Sequence, residues 1–185
     1  MRTFIAVDCN NKEKIFNIQQ NILQSFPSFN SLIRPVNKEN LHFTLFFFGD
    51  IEKRQQELIS NKMNEILFEK FEINYRKIGV FPSFKYPKVI WIGVDEKSQR
   101  KLNSLYELIR VKMEQIGFKP DKQFKPHLTI FRVKRPITNI EQYINKYNNE
   151  IDIDFIDLID KIYIKKSELF SHGPVYSNIL TIFAK

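Results

Sequence analysis

The chain lacks what several common chemistries require. It holds one cysteine, Cys9, in 185 residues. That excludes an intramolecular disulfide and any multi-cysteine zinc site, and Cys9 is expected as a small, half-buried residue near a strand end. Its five glycines supply neither a Gly-x4-Gly-Lys phosphate loop nor a Gly-x-Ser-x-Gly nucleophile elbow. There is no His-Glu-x-x-His helix. Asp152, Asp154, Asp157 and Asp160 read as a solvated face with turn caps, not as a ligand set, so neither a metal nor a cofactor is expected. No run approaches the roughly 18 apolar residues of a membrane-spanning helix. The opening Phe4-Ile5-Ala6-Val7 is too short for a signal peptide. A soluble, cytoplasmic monomer with no membrane contact is expected.

What is present is globular: 43% hydrophobic and 27% charged residues, enough for one domain over residues 1–185. The 18 phenylalanines are expected mainly in the core. With 29 basic against 21 acidic residues the formal charge is +8, which favours anionic partners such as nucleic acid and acts on encounter more than on specificity.

Histidine is scarce, with three in the chain, yet two of them repeat a pattern. His42-Phe43-Thr44-Leu45 and His127-Leu128-Thr129-Ile130 both read His-apolar-Thr-apolar, 85 positions apart (127 − 42). In a strand, residues i and i+2 face one side, so each His projects beside its Thr while the apolar partners enter a core. The surroundings repeat as well. Trp91-Ile92-Gly93-Val94-Asp95 lies over Phe4-Ile5-Ala6-Val7-Asp8, an offset of 87 (91 − 4). Helical periodicity is expected over about 9–26, 52–69, 96–116 and 140–147, with strands between, and 32–36 as an edge strand or extended loop. The loop 82–87 is a candidate flap, and His172 reads as a loop residue. Two landmarks that agree to within two residues predict a duplicated unit, halves roughly 1–85 and 86–185. The fold class is α+β, a bilobal duplicated fold with two antiparallel β-sheets, helices on the outside and a central cleft.

Two imidazoles suit acid–base chemistry, since one neutral and one protonated ring coexist near neutral pH. Two threonine hydroxyls suit the oxygens of a phosphate. Phe48, further along the first motif strand, is a candidate for stacking a terminal base.

With these flanks the sequence resembles the two-histidine phosphoesterase superfamily, most closely the bacterial and archaeal RNA 2′,3′-cyclic phosphodiesterases, also called 2′-5′ RNA ligases. The resemblance covers nearly the whole chain. It rests on Met1-Arg2-Thr3-Phe4-Ile5-Ala6-Val7, Glu39-Asn40-Leu41-His42-Phe43-Thr44-Leu45 and Phe124-Lys125-Pro126-His127-Leu128-Thr129-Ile130. Gly79-Val80-Phe81-Pro82 with Pro87-Lys88-Val89-Ile90-Trp91 resembles the family's central hairpin. Lys166-Ser167-Glu168-Leu169 and Gly173-Pro174-Val175-Tyr176 resemble its carboxy-terminal signature. The resemblance implies metal-independent hydrolysis of RNA 2′,3′-cyclic phosphate ends to 2′-phosphates, with RNA 3′ ends or cyclic nucleotides as partners. His127 would act as base and His42 as acid, an assignment the internal symmetry leaves open. Thr44 and Thr129 would hold phosphoryl oxygens, and Arg132 would contact the phosphate. Where the family carries Arg or Trp before the first motif and Arg before the second, this chain has Arg34 and Lys125. Two alternatives remain at this point: reversible 2′-5′ joining of RNA ends such as tRNA halves, and a non-catalytic RNA- or nucleotide-binding module.

Overall fold

A computed structural model describes residues 1–171 and 173–185; the reading of His172 as a loop residue therefore lies outside the described residues. In chain order the elements are β1 (Arg2–Asp8), α1 (Lys12–Ser25), β2 (Ile33–Pro35), β3 (His42–Asp50), α2 (Lys53–Met63), β4 (Phe71–Phe81), β5 (Val89–Val94), α3 (Glu96–Glu114), β6 (Leu128–Val133), α4 (Ile140–Glu150), β7 (Phe155–Ile159), β8 (Lys161–Phe170) and β9 (Gly173–Phe183). The strands form two antiparallel sheets, ordered β3-β1-β8-β9 and β2-β6-β5-β4-β7. Pro35, which has no N–H to donate, lies on the short edge strand β2.

Neither sheet belongs to one half of the sequence. β4, encoded beside α2, pairs with β5, while β8, encoded after α4, returns to pair with β1. The fourth strand of each half, β4 or β8, is thus exchanged into the sheet that the other half begins. A single apolar cluster joins the two sheets and the helices. At its centre Tyr75 of β4 stacks on Phe43 of β3 and on Phe155 of β7, with ring centroids 5.9 and 4.5 Å apart.

The helices follow the apolar spacing. α3 buries Leu102, Leu105, Ile109 and Met113 along one stripe. Its N-terminus is capped by Asp95, whose Oδ1 accepts from the Ser98 N–H at 2.7 Å. α2 ends at Met63, short of the expected 69. Beyond it a turn and an irregular segment bury Ile66 and Phe68 on the way to β4. Cys9 is fully buried and not half-exposed, and burial pushes its thiol pKa up to about 12.

Asp157 corrects the reading of the aspartates as a solvated face. β7 turns Phe155, Asp157 and Ile159 inward and leaves Ile156 and Leu158 exposed. The Asp157 carboxylate accepts from the Asn10 and Asn11 backbone N–H groups at 2.9 and 3.4 Å and from the Tyr75 hydroxyl at 3.2 Å. A carboxylate brought from the other sheet therefore meets the N-terminal end of α1, where the helix dipole favours negative charge. The side chains of Asn10 and Asn11 donate in return to the Leu158 and Ile156 carbonyls. Asp157→Ala strands a buried hydroxyl and N–H without an acceptor and is expected to cost about 3 kcal/mol. A urea midpoint that shifts at constant m is the measurement, and a loss below about 1 kcal/mol would remove Asp157 from this role.

Candidate active site

The cleft between the sheets has a volume of about 500 Å³, and His42, Thr44, His127, Thr129 and Arg132 all line it. The four motif residues, predicted from the repeat, are brought to one place from β3 and from the start of β6. Gln19 of α1, 1% exposed, fixes part of this arrangement. Its Nε2 donates to the carbonyls of Val36 and Ile130 at 2.9 and 2.7 Å, tying the helix to the paired backbone just after β2 and in β6.

Both imidazoles are anchored in the same way. Nδ1 of His42 lies 2.7 Å from the Asn40 carbonyl and Nδ1 of His127 lies 2.7 Å from the Lys125 carbonyl. A carbonyl only accepts, so each Nδ1 carries a proton and each Nε2 is the nitrogen left for proton transfer. Nε2 of His42 is 3.0 Å from the Thr44 Oγ1.

Each ring is also walled by aromatics. Phe4 and Tyr176 sit 5.0 and 5.2 Å from His42, while Phe81 and Trp91 sit 4.9 and 6.5 Å from His127. Trp91 reaches its position because Gly79 on the neighbouring strand has no side chain; a Cβ there would stand 2.4 Å from the indole. Loss of water around the rings lowers both histidine pKa values. His42 falls to about 4, through desolvation first and then, against the pull of the Asn40 carbonyl, through the cationic Lys165 and Arg132. His127 falls below its ordinary value through desolvation, partly offset by the Lys125 carbonyl. Lys165 is 4% exposed, and its ammonium donates to Asp8 Oδ2 and Asn178 Oδ1, both at 2.9 Å.

Phe48 is not in the cleft. Alternation from His42 puts Phe46 and Phe48 on the site face, but the β1–β3 register jumps at Leu45: Ala6 faces Thr44 and Ile5 faces Phe46. This bulge reverses the parity of the strand. Leu45 and Phe46 both enter the core, Phe47 lines the cleft beneath the Arg2 guanidinium, and Phe48 packs against Phe46 and Phe118. Phe47 is thus a cleft residue that alternation did not reach. Arg2, Phe4 and Tyr176, which also line the cleft, fall within stretches whose resemblance was visible. The loop 82–87 contributes no residue to the cleft lining. Among the described residues there is no cluster of His, Cys, Asp and Glu able to hold a metal ion, and no helix is long and apolar enough to cross a membrane.

A family model described as LigT-like phosphoesterase matches the chain twice, over residues 7–91 and 92–176. The two matches are offset by 85 (92 − 7), the same interval that separates His42 from His127. A relative from Archaeoglobus fulgidus named RNA 2′,3′-cyclic phosphodiesterase is 35% identical over 97% of this chain and 98% of its own length. One of the same name from Methanothermobacter thermautotrophicus is 32% identical over 97% and 96%. Among solved structures, the protein TT0787 of Thermus thermophilus superposes with a TM-score of 0.79, covering 99% of this chain and 97% of that one at 23% identity.

Proposed function

The chain belongs to the LigT-like phosphoesterase family, and we propose that it hydrolyses 2′,3′-cyclic phosphate ends of RNA to 2′-phosphates with His42 and His127 as the acid–base pair. The observation that carries this reading is the matched anchoring of the two imidazoles, each with Nδ1 held by a carbonyl and both rings in one cleft with two threonines.

In the reaction one Nε2 takes a proton from water as the water oxygen bonds to phosphorus. The bond from phosphorus to the ribose 3′-oxygen breaks, and the other imidazolium gives that oxygen its proton. The products are a 2′-phosphate and a 3′-hydroxyl, so atoms and protons balance without a metal. The Thr44 and Thr129 hydroxyls donate to the non-bridging oxygens as their charge grows, and the Arg132 guanidinium adds a charge-assisted contact. Phe47, in place of Phe48, offers its ring to the terminal base.

The resemblance implies His127 as base. Burial favours the converse order: His42, the more strongly desolvated ring, is the one that is neutral when the pair holds a single proton. His42 is then the base and His127 the acid.

The test is a pH–rate curve on a 2′,3′-cyclic mononucleotide with chelator present. Turnover needs the singly protonated pair. Below a pH of about 4 both rings are charged and the base is lost. Above the His127 value, itself below 6.5, both are neutral and the acid is lost. The kcat/KM profile is therefore expected to be a bell with an acidic optimum. The kcat bell lies higher, because bound phosphate stabilises the protonated rings. A chelator-sensitive rate, or kcat/KM still rising above pH 7, would overturn the reading.

A further inference from the structure

A side pocket of about 50 Å³ opens from the cleft, lined by Arg34, Asn37, Asn40, Arg132 and Tyr176 among others, and reached by none of the motif His or Thr side chains. Arg34 of β2 and Arg132 of β6 are direct register partners. Both guanidinium-bearing residues line the pocket, and both also line the cleft beside it.

The Arg34 guanidinium is also positioned. A Cβ on Gly173, whose φ is +126°, would stand 2.5 Å from Arg34 Nη2, so this guanidinium lies against bare backbone at the start of β9. Asn40 holds the same hairpin by donating from Nδ2 to the Pro174 carbonyl at 2.8 Å. Two planar forks, one of them seated on glycine, match the oxygens of a phosphate.

We propose that Arg34 and Arg132 form a second phosphate subsite, which takes the phosphodiester joining the terminal nucleotide to the one before it. This rests on the cyclic phosphodiesterase reading. A terminal nucleotide carries its cyclic phosphate and its 5′-phosphodiester at opposite ends of one ribose, and the pocket and the cleft share Arg34, Asn40, Arg132 and Tyr176 as a common wall. Arg132 serves at the junction of the two; Arg34 belongs to the strand. The site is then built for the ends of RNA chains, and a cyclic mononucleoside leaves the pocket unused.

The experiment compares three substrates: a nucleoside 2′,3′-cyclic phosphate, the same compound with a 5′-phosphate, and a dinucleotide ending in the cyclic phosphate. The native protein is expected to turn over the dinucleotide with kcat/KM about 10-fold or more above the plain nucleoside, the scale of a charge-assisted contact. Arg34→Ala should collapse that ratio towards one, and Gly173→Ala, which displaces the guanidinium, should reduce it. A ratio near one in the native protein, or one that survives Arg34→Ala, overturns the subsite. A gain confined to the 5′-monophosphate overturns the assignment to a strand. Absence of turnover with all three substrates counts against the phosphodiesterase reading itself, a separate failure.

Discussion

His42→Ala and His127→Ala are each expected to lower kcat on a cyclic phosphate by about 10²–10⁴-fold, the usual contribution of one positioned proton-transfer group. KM should move far less, because neither ring is the main source of substrate affinity. The two losses should not add. Base and acid work in one step, so the double variant is expected to be little worse than the poorer single one. Either variant retaining kcat within about threefold of the native protein would end the two-histidine mechanism. A 3′-thio cyclic phosphate separates the roles, since sulfur leaves as a thiolate without a proton. If burial orders the pair as the geometry favours, His127→Ala recovers on that substrate and His42→Ala does not. Recovery of His42→Ala alone restores the order implied by the resemblance.

Thr44→Val and Thr129→Val are the second pair of large effects. Valine keeps the shape and removes the hydroxyl, so the loss reports a donor to developing phosphoryl charge, about 10²–10³-fold in kcat per group. The sites are not equivalent in detail. Thr44 Oγ1 lies 3.0 Å from His42 Nε2, so Thr44→Val also removes a partner of that ring, and it alone should shift the acidic limb of the pH profile. Unchanged kcat in both variants would assign the hydroxyls to holding the strands and not the substrate.

Much of this site was legible because it repeats. One His-x-Thr strand is ordinary, and the second at a matching interval is what made the pair visible. The α+β class and the outward helices followed from apolar spacing, which is a local property. What sequence could not give was register. The bulge at Leu45 leaves no mark in composition, yet it exchanges Phe48 for Phe47 on the cleft wall. Asp157 was misread for a related reason. Between Ile156 and Leu158 it looks like the wet residue of an alternating strand, but β7 buries the carboxylate because two N–H groups near α1 and the Tyr75 hydroxyl wait for it. The Arg34–Arg132 opposition was equally hidden, because two residues 98 positions apart (132 − 34) meet only through the β2–β6 pairing.

The exchange of strands between the halves bears on how the protein is made. One of the two ladder partners of β1, β8, lies far behind it in the chain: Arg2 pairs with Ser167, a separation of 165 (167 − 2). Such distant pairing is slow to close, since loop entropy is lost before any contact compensates it. Until β8 and β9 are added, β1 and β3 form an open edge and His42 lacks the Tyr176 wall. Both motifs precede β8 and β9 in the chain, so synthesis supplies them well before it supplies the Tyr176 wall of the cleft.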